Sequence, residues 1–289
     1  MMMRNYQLLS FLLSWALVAC FPVVEGQNYS AFRTSGELRV AVESWIADDT
    51  EQVIATYGPI DVWDVSLVDD FKGLFQGHAS FNDNITSWDT RSATDMDRMF
   101  FGATSFNQDL SNWNTTKVTS MVSTFQAATA FAGDISTWQT GQVKSMADMF
   151  RGASSFNTDI SFWDVTSVRD MSTMFWEALA FNMDISNWDV SRNKEFTGTF
   201  RNATAFGQKL CWVFREEAIV TGMFCGTKDA SICEDKICNH DLYHDDKCVR
   251  PSVLALTGCD APLASAAWKP RPLVLMAVTT IMAALAMAL

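Results

Sequence analysis

Residues 156–175 read FNTDISFWDVTSVRDMSTMF, and variants of this stretch recur every 25 residues between Ile60 and Phe206. Six tryptophans keep that period: Trp63, Trp88, Trp113, Trp138, Trp163 and Trp188. Two phenylalanine series keep the same step: Phe75, Phe100, Phe125, Phe150, Phe175 and Phe200, and Phe81, Phe106, Phe131, Phe156, Phe181 and Phe206. A fixed period between about 20 and 50 residues indicates an array of stacked supersecondary units.

The spacing within one unit predicts its local structure. Trp163 and Val165 have the two-residue spacing of a strand face, and the hydroxyl of Thr166 is suited to a helix N-cap. Apolar residues then follow at the i, i+3, i+6 and i+7 positions of a helix stripe: Val168, Met171, Met174 and Phe175. A glycine in the next turn, as at Gly152, is suited to ending that helix. Each unit is therefore predicted to be a strand, a turn, a short helix and a second turn.

One such unit has too few apolar side chains to offset the entropy of ordering its chain, so neighbouring units must stack. If the strands pair in parallel, equivalent residues lie about 4.8 Å apart, and the aromatic series become columns. We interpret these columns as core packing rather than as a cofactor site. The expected fold is an α/β solenoid over residues 60–210, with a helical cap before it and a disulfide-rich cap after it.

Two polar series accompany the aromatic ones. The first consists of Asn82, Asn107, Asn157 and Asn182 and is broken by Ala132. Stacked asparagine side chains are predicted to satisfy backbone groups of a repeated turn. The second consists of Asn84, Asp109, Asp134, Asp159 and Asp184. Carboxylates about 5 Å apart repel by about 3 kcal/mol at a protein-like dielectric, so the second series must be solvated, capped by backbone N–H groups, or bridged by calcium.

The pattern F-N-x-D-I-S-x-W-D-V-S-x-V-x-x-M-x-x-M-F-x-G-A over residues 60–206 resembles the BspA-like leucine-rich-repeat surface proteins, also called the DUF285 family. The chain departs from it at Ala132-Gly133, at Gln139, and at residues 209–212, where the spacing shortens by one. The resemblance implies a leucine-rich-repeat-like solenoid, usually at a cell surface. Some relatives are adhesins, and the resemblance brings no catalytic residues.

The N-terminal region divides into a targeting segment and a cap. Residues 1–26 are predicted to be a secretory signal peptide. A competing interpretation is a bacterial lipobox that ends at Cys20, which would then be lipidated. Residues 27–59 are predicted to cover the open end of the repeats, because residues 34–37 form a capping box. The helix that follows places Leu38, Val42, Trp45 and Ile46 on one side.

Six cysteines follow the repeats, in the predicted C-terminal cap over residues 211–260: Cys211, Cys225, Cys233, Cys238, Cys248 and Cys259. In a secreted chain an even number predicts disulfides, here three, and the spacing leaves their connectivity open. An alternative interpretation is that Cys238, His240 and His244 belong to a metal site.

The C-terminal stretch, Leu273 to Leu289, carries no charged side chain. A helix of this length is about 25 Å long, which is short of a bilayer core of about 30 Å. Lys269 and Arg271 precede it, against the charge asymmetry of a stable span. The tail and the spacer at residues 261–272 suit a glycosylphosphatidylinositol signal, with attachment between Asp260 and Ala267; a membrane segment is the alternative.

Four sequons agree with a secretory route, at Asn28, Asn84, Asn114 and Asn202. The net charge of −12 and the lack of a basic stripe disfavour nucleic acid and anionic membranes as partners. None of the three histidines lies in a catalytic motif, so an enzyme is not expected. The expected function is a non-enzymatic surface protein, membrane-anchored through its C-terminus, that binds an extracellular protein or glycan. A calcium-stabilised structural protein, using Asp109, Asp134, Asp159 and Asp184, is the alternative.

Overall fold

The computed structural model describes residues 29–215 and 217–232. Two α-helices open this part of the chain, α1 at Ser35–Ile46 and α2 at Glu51–Tyr57, followed by a 3-10 helix at Ile60–Val62. Two short strands close it, β1 at Lys209–Leu210 and β2 at Ser231–Ile232, which pair in parallel. Between the helices and β1, turns and single-residue bridges make up the repeats.

Several predicted features lie outside the described residues. They are the signal peptide, the alternative lipidation site at Cys20, the sequon at Asn28, the alternative metal ligands His240 and His244, the spacer at 261–272, the tail at 273–289, and the cysteines Cys233, Cys238, Cys248 and Cys259.

The 25-residue units lie directly on one another through their backbones. Parallel bridges join Asp70 to Asp95, Asp95 to Ser120, and so on through Glu195 to Ile219. Between the first two units, alternate N–H groups of residues 71–77 donate to carbonyls of residues 95–101 at 2.7–3.0 Å. The same four bonds recur at each following junction up to Asn202 and Cys225. Hydrogen bonding therefore runs between units, as in a parallel sheet.

The predicted helix at Val168–Phe175 is not present, and neither is a strand at Trp163 and Val165. The chain instead makes consecutive turns, in which the N–H of Met174 bonds the carbonyl of Met171 and each of the following turns repeats this three-residue closure. The three-residue spacing of apolar side chains serves such turns as well as it serves a helix. Strand-like pairing falls at Asp170 rather than at the tryptophan.

Left-handed residues prevent the helix. Two positions in each unit have positive φ, for example Gly73 at 61° and Gly77 at 81°. An α-helix of L-residues does not accommodate this conformation. Later units place other residues there, including Arg98 at 56° and Thr173 at 54°. The bonds to the next unit hold these residues in place, because the N–H of Thr173 donates to the carbonyl of Thr197 at 2.9 Å.

The predicted aromatic columns form the core. Neighbouring indole rings from Trp63 to Trp163 lie 6.0–6.4 Å apart, with their planes within 15° of parallel. The column that starts at Phe75 has centroid separations of 5.3–5.6 Å, and the one at Phe81 has 5.7–6.0 Å. All of these side chains are buried. The interpretation of the aromatic series as core packing is confirmed.

Helix α1 covers the first unit. The Thr34 hydroxyl accepts the N–H of Glu37 at 3.1 Å, as the capping box predicts, while the Glu37 carboxylate accepts the N–H of Arg33 at 2.8 Å. The ring of Trp45 meets Trp63 edge-on at 5.9 Å, and its Nε1 donates to Asp83 at 2.8 Å. The end of the aromatic column is therefore shielded from water.

The stack continues past the predicted boundary at residue 210. Trp212 lies 6.1 Å from Trp188, and Phe224 lies 5.6 Å from Phe200, so both extend the columns. These steps are 24 residues rather than 25, because the chain between residues 206 and 212 is one residue shorter. The first part of the predicted cysteine cap is thus another repeat unit, since the loss of one residue leaves the buried columns in register.

Candidate functional site

The aspartate series caps turns. In each unit the Oδ1 atom accepts the backbone N–H two residues later, at 2.8–2.9 Å, for Asp109, Asp134, Asp159 and Asp184. Asn84 makes the same contact with Thr86 at 3.1 Å. The backbone N–H groups of Ser161 and Ser186, followed by their hydroxyls, hold the pKa values of Asp159 and Asp184 below the ordinary range. The side chains are exposed, so the capping alternative for this series is confirmed.

The capping bonds use only the Oδ1 atom of each aspartate, and the Oδ2 atom takes no part in them. Within residues 29–215 and 217–232, no group of three or more His, Cys, Asp or Glu side chains is arranged to hold a metal ion. The four aspartates that were candidates for calcium lie one to a unit. Calcium bridging along this column stays a prediction.

The asparagine series satisfies backbone N–H groups, as predicted, and each of these groups belongs to the next unit. The Oδ1 of Asn82 accepts the N–H of Asn107 at 2.8 Å, and the Oδ1 of Asn182 accepts the N–H of Gly207 at 3.0 Å. Asn107 passes the same bond to Ala132 at 2.8 Å. Alanine has no side-chain acceptor, so the series is interrupted at that unit.

The tryptophans do more than pack, and the sequence analysis missed this role. From Trp88 onward, each repeated indole Nε1 donates to a backbone carbonyl of the preceding unit; Trp88 reaches Ile60 at 2.8 Å, and Trp138 reaches Leu110 at 3.0 Å. The signal was present, because a buried indole N–H needs a partner and an isoleucine or leucine stands three residues before each repeated tryptophan. The bond fixes how one unit sits upon another.

The described sequon asparagines lie at the surface, whereas the two described cysteines are wholly or partly buried. The three sequon asparagines Asn84, Asn114 and Asn202 are exposed. Cys225 is buried and Cys211 is half-buried, and neither is a free thiol. The predicted set of three disulfides depends on cysteines outside the described residues and stays a prediction.

A groove of about 500 Å³ is lined by residues of three consecutive units, where the repeat departs from its pattern. Its lining includes Thr137, Gln139, Gly141, Phe162 and Asp164. The ring of Phe162 is 84 % exposed, the largest exposure among the large hydrophobic side chains that the structure describes as exposed. A second depression, of about 360 Å³, begins at the neighbouring Ser161. Phe162 is therefore placed beside two concave surfaces.

Asp164 contributes a negative charge to this groove. The hydroxyl of Thr166 donates to its Oδ1 at 2.6 Å, and the backbone N–H of Thr166 adds a bond of 3.0 Å. These two bonds, with the hydroxyl as the larger effect, hold the pKa of Asp164 below its ordinary value. The carboxylate is therefore ionised at neutral pH, and its Oδ2 points toward Gly141.

The repeat is also recognised at the level of a family. The model of the family described as "Mycoplasma protein of unknown function, DUF285" matches residues 46–150 and residues 131–235. Together the two matches extend from residue 46 to residue 235, which is well over half of the 289 residues. The chain belongs to the DUF285 family. The resemblance seen in the repeat pattern is thereby confirmed.

The two DUF285 matches overlap at residues 131–150, as expected when a model spanning several units can be placed at more than one register of a repeat. The DUF285 region also continues to residue 235, in agreement with the extension of the stack beyond residue 210. No curated protein and no solved structure matches the chain. In the part of this DUF285 protein that the structure describes, no helix has both the length and the apolar character to span a bilayer.

Proposed function

We propose that this DUF285 protein is a non-enzymatic cell-surface protein, whose repeats form a leucine-rich-repeat-like solenoid that binds an extracellular protein or glycan. The observation that carries the proposal is the groove at Phe162, whose aromatic side chain is the most exposed of the large hydrophobic residues that the structure describes as exposed. Repeat arrays present broad surfaces on which single departures from the pattern provide recognition. Family membership supports a surface repeat protein in general and leaves the ligand open.

The chemistry of the polar columns supports a binding role rather than catalysis. The carboxylates of Asp159 and Asp184 are turn caps with lowered pKa values, whereas a general acid needs a raised one. The two carboxyls with raised pKa values, Asp95 and Glu195, line neither depression. The described histidine, His78, lies 3.4 Å from Glu43 where helix α1 meets the repeats, far along the chain from the groove. The groove itself contains hydroxyl, amide and carboxylate groups suited to hydrogen bonding.

The proposal includes secretion and attachment to the membrane through the C-terminal tail. Exposure of the sequon asparagines Asn84, Asn114 and Asn202 supports a chain that passes through the secretory route, because a glycan needs an accessible side chain. The net charge of −12 supports an extracellular partner that is not itself a polyanion.

The experiment that tests this proposal treats intact cells of the native host with phospholipase C and with an impermeant protease. We expect release of the protein by the lipase, an inositol-bearing C-terminus after Cys259 in mass spectrometry, and loss of the repeats upon protease treatment. Retention with Leu289 present identifies a membrane tail and overturns the lipid anchor alone, whereas a lipid on Cys20 identifies a lipoprotein and overturns attachment through the C-terminus. Complete protection from the protease overturns surface display.

A further inference from the structure

Phe162 lacks a bond that three other residues of its column make; in that column Asn112 also lacks it, and Val62 is a smaller exposed apolar side chain. At the equivalent position in other units, the side chains of Ser87, Thr137 and Asn187 donate to a carbonyl of the preceding unit, Asn187 to Ser161 at 2.9 Å. Phenylalanine has no donor, and its ring is 84 % exposed, so it contributes neither this bond nor core burial. A residue that breaks a local rule without structural compensation points to a functional site.

Two further departures line the same groove. Gln139 stands where neighbouring units have Asn114 and Asp164, and the residue at 141 is glycine where other units have larger side chains, as at Thr166. A Cβ atom at Gly141 would lie 2.8 Å from the Oδ2 of Asp164. The glycine therefore leaves room for the Asp164 carboxylate at the groove, with one oxygen on Thr166 and the other facing Gly141.

The lining selects a class of ligand. Hydroxyl, amide and carboxylate groups are present, whereas none of the described residues that line the groove is Lys or Arg. An anionic ligand would meet Asp164 here, and Asp159 and Asp184 in the second depression, without a compensating charge. An exposed aromatic ring flanked by hydrogen-bonding groups suits a neutral molecule with one apolar face and many hydroxyls. A sugar ring has both properties.

The size of the site agrees with that chemistry. The groove of about 500 Å³ falls within the range of about 300–1,000 Å³ that is usual for small-molecule sites. The second depression, of about 360 Å³, is lined in part by Ser161, the residue that precedes Phe162 in the chain. A stable protein interface usually buries about 800 Å² on each partner, so a protein ligand would have to extend well beyond the two depressions.

We propose that Phe162 and the two depressions beside it form a binding site for a neutral oligosaccharide. The Phe162 ring stacks against the C–H face of one sugar, and Asp164 and Gln142 bond the hydroxyls of that sugar or its neighbour. This inference rests on the proposed function as a binding protein of the cell surface and names the class of its ligand.

The test uses the purified full-length protein and three neutral probes: cellohexaose, laminarihexaose and α-mannohexaose. Binding is measured by saturation-transfer NMR and by calorimetry up to about 10 mM probe. Phe162→Asn restores the hydrogen-bonding side chain that Asn187 supplies in its column. The matched control is Leu179→Thr, because Leu179 is the exposed apolar exception in another column, where Thr104 and Thr129 donate to the preceding unit.

We expect at least one probe to bind, F162N to weaken its Kd at least tenfold, and L179T to leave the Kd unchanged. F162N should melt at or above the wild-type temperature, so that its loss of binding is not a loss of folding. Equal binding by F162N and wild type overturns the proposal. Binding of none of the three probes, or a protein partner that needs Phe162, also overturns it. If the protease removes the protein from intact cells and none of the probes binds, the oligosaccharide site is refuted. The proposal of surface display is then still supported.

Discussion

The indole Nε1 of Trp138 donates a hydrogen bond of 3.0 Å to the backbone carbonyl of Leu110 in the preceding unit. The same ring lies 6.4 Å from Trp113 and 6.3 Å from Trp163, in parallel planes. One side chain therefore joins its unit to the preceding one in two ways, by ring contact and by a directed bond to the backbone. This coupling adds to the backbone hydrogen bonds that join adjacent units where helices and long strands are absent from the described repeats.

Trp138→Phe tests this coupling. The variant keeps an aromatic ring in the column but leaves the buried Leu110 carbonyl without its indole donor and leaves a small cavity. We expect a loss of about 3 kcal/mol in the free energy of unfolding, measured by denaturant titration. Phe125→Leu is the control, since it removes stacking without orphaning a polar group, and it should cost about 1.5 kcal/mol. Equal losses for the two variants would refute the role of the bond.

Ala132→Asn should stabilise the protein by repairing the interrupted asparagine series. Its Oδ1 would accept the N–H of Asn157, as Asn157 itself accepts the N–H of Asn182 at 2.9 Å. The expected gain is about 1 kcal/mol in chemical denaturation. Asn107→Ala is the reverse experiment and should lose a similar amount, because Ala132 then loses its acceptor. A destabilised A132N protein with an unchanged N107A protein would contradict the geometry.

Asp159→Asn and Asp159→Ala separate turn capping from calcium binding. Asparagine keeps the acceptor, as Asn84 shows at the equivalent position, so D159N should unfold close to wild type. D159A loses the bond to Ser161 and should lose about 1 kcal/mol. Under capping, the melting temperature is the same with EDTA and with calcium. A chelator-dependent melt that D159N abolishes would establish the calcium bridge instead.

Acid should weaken the stack. Hydrogen bonds from Ser161, Thr166 and Ser186 lower the pKa values of Asp159, Asp164 and Asp184 below the ordinary value of an aspartate. A carboxyl whose pKa is lower in the folded protein than in the unfolded chain stabilises the fold at pH values above its unfolded pKa. This stabilisation is lost as the pH falls through its folded pKa. We therefore expect the free energy of unfolding to decline as the pH drops below about 4.

Asp95 and Glu195 act in the opposite direction, because burial raises the pKa of each carboxyl. Their ionisation opposes folding, so protonation of these two groups adds stability as the pH falls through their raised values. Asp164→Asn should flatten the acid decline in denaturant titrations at a series of pH values, while Asp95→Asn should steepen it. The reverse ranking of the two slopes would show that the turn caps do not carry the acid sensitivity.

The sequence by itself determined the repeat, the buried columns and the family. A 25-residue period needs no structure to be seen, and bulky aromatic residues at fixed positions have no place to go except a shared interior. The capping box at the start of α1 could also be predicted from the sequence, because Thr34 and Glu37 bond within their own turn. Local contacts and periodic patterns of this kind can be recognised from the sequence without a structure.

Only the tertiary structure decided where the backbone hydrogen bonds go. The apolar spacing from Val168 to Phe175 fits a helix and a run of turns equally well, and the choice depends on whether N–H groups bond within a unit or to the next one. Stacking provides hydrogen-bond partners in the next unit and so stabilises left-handed residues such as Arg98 and Thr173. Because these positions are not glycines, the sequence does not indicate their conformation. The exposure of Phe162 was decided in the same way, because the stack turns its column outward.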